Sequence, residues 1–211
     1  MNLTEQNYKK KSRKHFNKQA AIYDQTWDGK YCRQMYDSVL AKIRQFPFIS
    51  LLDVGCGSGT MLAMLKKEYP ASEAFGIDLS DQMIVQAKMH LDPDIQIQTG
   101  DVESMPWPDN KFDLLVCNAS FHHYPNSIKS LTEMNRVLKS GGRLVIADPW
   151  WPGKIRLAIN YYLKSPLNLS GDVRIYSQQE IEKLLAATGF HSIDWELIDS
   201  TYYVVTAIKN K

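Results

Sequence analysis

Three groups of residues in this chain have side chains and spacings suited to chemistry. Gly55, Gly57 and Gly59 alternate between Asp53 and Thr60, immediately after the apolar Leu51, Leu52 and Val54. Glycine tolerates φ > 0 and lets backbone approach a ligand closely, because no Cβ intervenes. A helix beginning just beyond the turn would aim its unpaired N–H groups at the same place. Asp78 follows at close to the twenty-residue spacing at which a carboxylate accepts hydrogen bonds from ribose hydroxyls. His122 and His123 bring imidazoles, whose ordinary pKa of about 6.5 suits proton transfer at neutral pH. Thr60 stands where a dinucleotide fingerprint G-x-G-x-x-G requires its third glycine, and no Lys follows to make a phosphate loop. No Cys and His cluster has metal-ligand spacing, so no metal is expected.

The elements that must position these residues are legible in the hydrophobic pattern. Leu51 to Val54 reads as a buried strand and Met61, Leu62, Met64 and Leu65 as the helix after the glycine turn. Further strands are predicted at 73–78, around Ile95 and Ile97, and at 114–117 and 143–147. Between them, Ser80 caps a helix over 81–90, and Ser127 is expected to cap another carrying Ile128, Leu131, Met134 and Leu138. Strict alternation of strand and helix implies a parallel, doubly wound sheet, with ligands at the C-terminal strand ends where strand order reverses. Near the C-terminus, Ser177 and Glu180 form a capping box for a helix ending at Gly189. Two strands follow, at 193–198 and 202–208, joined through Asp199-Ser200 and therefore antiparallel. Ahead of the core, 31–46 is expected to be one amphipathic helix stopped by Pro47.

The 211 residues fit a single α/β domain. A formal net charge of +2 is too small to argue for nucleic acid or anionic lipid. The basic run between Tyr8 and Lys18 reads as a solvated helix face. The start of the chain, MNLTEQNYKKK, has no apolar leader, and no run approaches the roughly 20 apolar residues of a membrane span. Cys32, Cys56 and Cys117 are far apart and odd in number, which suits a reducing cytoplasm.

The order Asp53, Gly55, Gly57, Gly59 resembles the first motif of the class I S-adenosylmethionine-dependent methyltransferases, and the segment Phe16, Ala20, Tyr23, Asp24 is similar to the F-x-x-x-A-x-x-Y-D stretch of their ubiquinone/menaquinone-biosynthesis type. Met105 to Asp113 resembles that family's P-F-x-D-x-x-F-D run, with Trp107 replacing Phe. The resemblance implies a Rossmann-like, mostly parallel seven-stranded sheet with an antiparallel last strand and helices on both faces. It also implies S-adenosylmethionine as cofactor, S-adenosylhomocysteine as product, and methyl transfer by in-line displacement to a small-molecule acceptor. By the same resemblance the cofactor set is Tyr23, Asp53, Gly55, Cys56, Gly57, Gly59, Asp78, Leu79, Met83, Asp101, Val102, Asn118 and Phe121. Within it Asp78 is the ribose acid and Asp101 the adenine acid, with its neighbour's N–H donating to a ring nitrogen. Residues 1–47 become a helical lid, 48–148 the cofactor core, 149–176 a substrate-side insertion and 177–211 the closing helix and strand pair. His122 and His123 are the candidate bases, and Tyr23, Phe121, Trp150, Trp151, Tyr161 and Tyr162 are candidate walls of an aromatic or lipid-like acceptor pocket.

Three other readings have their own residues to satisfy. A DNA amino-methyltransferase would carry [DNS]-P-P-[YFW] where Asn118-Ala119-Ser120-Phe121 stands, and Asp148-Pro149-Trp150-Trp151 comes one strand too late. Cys117 lacks the preceding proline of a cytosine-C5 nucleophile. A nicotinamide enzyme is disfavoured by Thr60; against a binding or regulatory protein that keeps the cofactor fold without catalysis stand the intact Asp53, Asp78 and Asp101, which leave a lost acceptor site open, since fold does not prove function.

Overall fold

The computed structural model describes residues 3–211; Met1 and Asn2 of the expected lid segment lie outside them. Seven strands form one sheet: β1 (Ser50–Val54), β2 (Glu73–Asp78), β3 (Gln96–Thr99), β4 (Phe112–Asn118), β5 (Leu138–Pro149), β6 (Phe190–Ile198) and β7 (Tyr202–Lys209). Their spatial order is β3-β2-β1-β4-β5-β7-β6. Pairings from β3 to β5 are parallel, while β7 runs antiparallel to both β5 and β6. The sheet is thus doubly wound, with its reversal of order between β1 and β4. Asp199 and Ser200, both at positive φ (42° and 63°), make the tight turn that returns the chain from β6 into β7.

The central strands are apolar because both faces are covered. Leu52 and Val54 of β1, with Leu115 and Cys117 of β4, enter the core on one face. Leu51, Leu114 and Val116 enter the core on the other, beneath Val39, Leu40 and Ile43. The helices are α1 (Leu3–Gln19), α2 (Trp27–Gln34), α3 (Tyr36–Ile43), α4 (Thr60–Glu68), α5 (Asp81–Lys88), α6 (Ser127–Val137), α7 (Gly153–Leu163) and α8 (Gln178–Ala187). No described helix is long and apolar enough to cross a membrane. Ser80 and the Ser177–Glu180 capping box act as the sequence predicts.

Three local expectations are corrected. The helix expected over 31–46 is two helices meeting at the fully buried Met35, the first capped by the Thr26 side chain, which accepts from Gly29 N. Asn126, not Ser127, caps α6 by accepting from Lys129 N. The apolar residues of α7 are not packed inward as a set: Leu163 alone is buried, while Ile155, Leu157 and Tyr161 face solvent.

Candidate functional site

The glycine turn after β1 is held open by backbone geometry. Gly55, Gly57 and Gly59 take φ of 77°, 51° and 80°. Gly55 N and Cys56 N both donate to Ile77 O, at 2.8 and 3.0 Å, stitching the turn to the end of β2. Asp78 finishes the clamp, accepting from Gly57 N at 2.9 Å and from Ser80 N at 2.7 Å. A Cβ at Gly55 would fall 2.0 Å from Ser120 Oγ, so the close approach of the β1 and β4 ends requires glycine. Burial raises the Asp78 pKa, and the two backbone donors partly offset this. Asp53, wholly inside β1, is pushed up to about 7 by burial and then by the negative charge of Asp78.

Three cavities run in series along the C-terminal strand ends. The first is lined by Asp78, Leu79, Asp101 and Val102, closed on one side by Lys9. A second is lined by Tyr23, Cys56, Gly57, Met83, Asn118 and Ala119. Gly55, Asp78, Ser120 and His123 border both. The third is a cavity of about 500 Å³ among Phe16, Trp27, Tyr31, Trp151, Ile159 and Tyr162. It joins the second through Phe16, Tyr23, Ala119 and His123, so His123 borders all three. At this junction Ala119 sits at φ 49°, a strained position for a residue with a side chain, fixed by its N–H to Ala147 O at 2.7 Å. Asn118 donates to Cys32 O at 3.2 Å, but its Oδ1 is buried with no partner among the described residues. Such an acceptor is costly to leave unpaired and marks a place for a donor.

Three imidazoles of the large cavity are paired with carboxylates: His15 with Asp28, His122 with Asp148, which lies behind it out of the cavity, and His123 with Asp172, at 2.9, 2.8 and 3.1 Å. Burial alone would depress His122, but the charge of Asp148 and the hydrogen bond to it outweigh burial and raise its pKa to about 9. Burial and then the charge of His122, whose ring centroid is 4.0 Å away, lower that of His123. At neutral pH the site therefore sets an imidazolium beside a neutral imidazole. His122, His123 and Asp172 also offer ligand atoms within 4.8 Å of one another, a set that sequence spacing did not reveal and that the imidazole–carboxylate pairing already accounts for.

Helix α1 closes the first cavity from above. Lys9 Nζ lies 2.7 Å from Asp101 Oδ2 and 2.8 Å from Glu103 Oε2. Asn17 donates to Asp81 at 2.9 Å and accepts from Ser80 Oγ at 2.6 Å. Of the expected set, Tyr23, Gly55, Cys56, Gly57, Asp78, Leu79, Met83, Asp101, Val102 and Asn118 meet along the first two cavities. Asp53, Gly59 and Phe121 line none of the three: Gly59 starts α4 against Leu91, and Phe121 is buried against Tyr124 and Tyr176. Among the expected acceptor walls, Tyr23, Trp151 and Tyr162 line the large cavity, whereas Trp150 packs on the core and Tyr161 is 83% exposed. Sequence reasoning gives Lys9, His15, Asp28, Asp148 and Asp172 no role in the site: Lys9 and His15 lie in the basic run read as solvated surface, and Asp148 in a motif one strand too late.

A family model described as methyltransferase domain matches residues 52–146. The chain is 36% identical over 118 residues to an uncharacterized 37.1 kDa protein in transposon TN4556 of Streptomyces fradiae, spanning 54% of this chain and only 33% of that one. It is 27% identical over 192 residues to the demethylmenaquinone methyltransferase of Thermus thermophilus, spanning 81% of this chain and 85% of the relative. Among solved structures, phosphoethanolamine N-methyltransferase 2 of Haemonchus contortus, in complex with S-adenosyl-L-methionine, superimposes with a TM-score of 0.72 at 17% identity, covering 93% of this chain and 60% of that one.

Proposed function

We propose that this chain, which belongs to the class I S-adenosylmethionine-dependent methyltransferases, moves a methyl group from that cofactor to a small molecule held in the aromatic cavity. The observation that carries the reading is the junction: the cofactor cradle and the 500 Å³ cavity meet at Phe16, Tyr23, Ala119 and His123. The residues present fit the cofactor. Asp78 retains lone pairs for ribose hydroxyls beyond those given to Gly57 and Ser80. Asn118 Oδ1 is a buried acceptor awaiting a donor such as an α-ammonium group, and the turn at Gly55 and Gly57 has no Cβ to obstruct the methionine portion. Asp101 and the Val102 N–H take the adenine edge. When bound, S-adenosylmethionine supplies a methyl group on a cationic sulfur, already a good leaving group.

The chain's own task is then orientation, exclusion of water and removal of a proton from the acceptor. His123, uncharged at neutral pH and bordering all three cavities at the strand ends, is the residue placed to take a proton from an O–H or N–H group, with Asp172 beside it. His122, charged and balanced by the wholly buried Asp148, favours an acceptor that becomes anionic. Phe16, Tyr23 and the α1 lid keep bulk water out. A small-metabolite enzyme of the cytoplasm is the setting we propose.

The test is transfer of labelled methyl from S-adenosylmethionine to a panel of phenols, hydroquinones and amines by the full chain. Label should reach an acidic hydroxyl or amine, and His123→Gln should lower turnover by about 10²- to 10⁴-fold, the usual worth of general base catalysis. Label moving only to RNA or protein, or binding of S-adenosylmethionine with no turnover on any acceptor, would reject the small-molecule reading.

A further inference from the structure

Helix α7 turns Ile159 and Leu163 inward but leaves much of its apolar surface outside. A surface helix ordinarily turns its apolar stripe to the core and its polar face to water. Here the polar residues face inward: Asn160 bonds Ile175 through both its amide atoms, at 2.9 and 2.8 Å, and Arg156 pairs with Glu180 at 2.6 Å. Ile155, Leu157, Tyr161 and Tyr162 of α7, with Leu167 and Leu169 of the loop after it, are instead between 49% and 83% exposed. An exposed apolar surface of this extent, rimmed by polar residues, marks a contact site.

The charge around the patch says what covers it. From 149 to 171 there is no Asp or Glu, while Lys154, Arg156 and Lys164 are present. Lys154 and Lys164 are exposed with no ion-pair partner among the described residues. The basic helix α1 borders the same loop, through Tyr8 to Leu163 O at 3.3 Å and Lys11 to Asn168 O at 2.8 Å, and adds the exposed Lys10 and Lys14. Trp27, Trp151 and Tyr162 line the large cavity and are themselves exposed, so the patch reaches its mouth at Tyr162. Outward leucine and isoleucine, Trp and Tyr at the rim, and exposed lysines with no ion-pair partner are the composition of a surface that seats in the headgroup layer of an anionic bilayer, while the acids nearest them are engaged by Arg156, His15 and His123.

We propose that α7 and the loop to Gly171 form a docking surface for an anionic lipid bilayer, presenting the mouth of the large cavity to the membrane. A second copy of the chain would bring the unpaired lysines of each partner together, which disfavours it as the occupant. Docking itself does not require methyl transfer; the proposal rests on the reading above only in taking the cavity mouth as the acceptor's entrance.

Co-sedimentation of the full chain with phosphatidylcholine vesicles, with and without about 30% phosphatidylglycerol, tests this. The chain should partition onto the anionic vesicles and at least tenfold less onto phosphatidylcholine alone. Lys154→Gln with Lys164→Gln should weaken that partition by roughly 25-fold, about fivefold for each lysine near a charged surface. Leu157→Ser with Tyr161→Ser, at exposed positions that line no cavity, should lower it at least tenfold. Absence of vesicle binding, or binding by either double variant undiminished from that of the parent, would overturn the proposal. So would a dimer by sedimentation that Leu157→Ser with Tyr161→Ser converts to monomer. Stabilisation by S-adenosylhomocysteine, measured on the same variants, should be unchanged; its loss in the unaltered chain would count against the cofactor reading and not against docking.

Discussion

Replacing Asp148 with Asn tests the electrostatics of the site in depth. Asp148 has no exposed surface and holds the His122 ring at 2.8 Å. The His122 pKa stands at about 9 against an ordinary 6.5, and at about 1.4 kcal/mol per unit that gap is worth about 3 kcal/mol to the folded state. Because the folded value is the higher one, this stability is complete below pH 6.5 and is lost as pH rises through 9. His123, lowered by burial and by His122, has the opposite sign and acts below pH 6.5, outside this window. Buried Cys32 and Cys56, raised chiefly by burial, also erode stability in alkali, with no contribution from Asp148, whereas Cys117 is raised by burial and then by the charge of Asp148, so its alkaline erosion is greater in the parent and closes the gap in the same direction. The assay is thermal unfolding of parent and Asp148→Asn at steps from pH 6 to 9.5. Near pH 6.5 the parent should melt higher by about 6 to 12 °C, at about 2 to 4 °C per kcal/mol for a chain of this length. The gap should shrink as pH approaches 9.5. A gap constant across the range would refute the charged pair and leave only a lost hydrogen bond.

Other outcomes follow from the same geometry. Gly55→Ala puts a methyl 2.0 Å from Ser120 Oγ at φ 77°. It should cost about 2 to 5 kcal/mol from left-handed strain and overpacking together, read as a lowered denaturant midpoint. Lys9→Met removes the nearer of two cations beside Glu103, whose side chain is 1% exposed, leaving Lys129 at 3.9 Å, and should destabilise by at most about 3 to 5 kcal/mol, with faster amide exchange along Leu3–Gln19. Exchange in α1 unaltered by that change would show that the ion pair does not fasten this helix. Ser177→Ala, which breaks a complete capping box, should lower the melting temperature by about 2 to 4 °C and leave cofactor binding alone.

Much of the cradle was legible because its physics is local. Strand, glycine turn and helix follow one another within Leu51 to Leu65, and buried strands print continuous apolar runs. The carboxylates that tune His122 and His123 were not legible, since Asp148 lies 26 residues beyond its partner and meets it only when β5 pairs with β4. The break at Met35 escaped notice because a buried Met continues a helical pattern as well as it interrupts one. Helix α7 misled for the reverse reason: its apolar residues have helical spacing, and spacing alone does not say which face meets the protein. Asp53 stood in the motif by type, yet its place within β1 keeps it inside the sheet.

The central claim is that the turn at Gly55 and the carboxylate of Asp78 hold an adenosyl cofactor. Isothermal titration of S-adenosylhomocysteine into the full chain and into Asp78→Asn tests it most directly, with unfolding temperatures to establish that both are folded. One saturable site is expected in the parent and at least tenfold weaker binding in the variant, the worth of one hydrogen bond to a charged group. Equal affinity in a folded variant, or no binding in the parent, would contradict it.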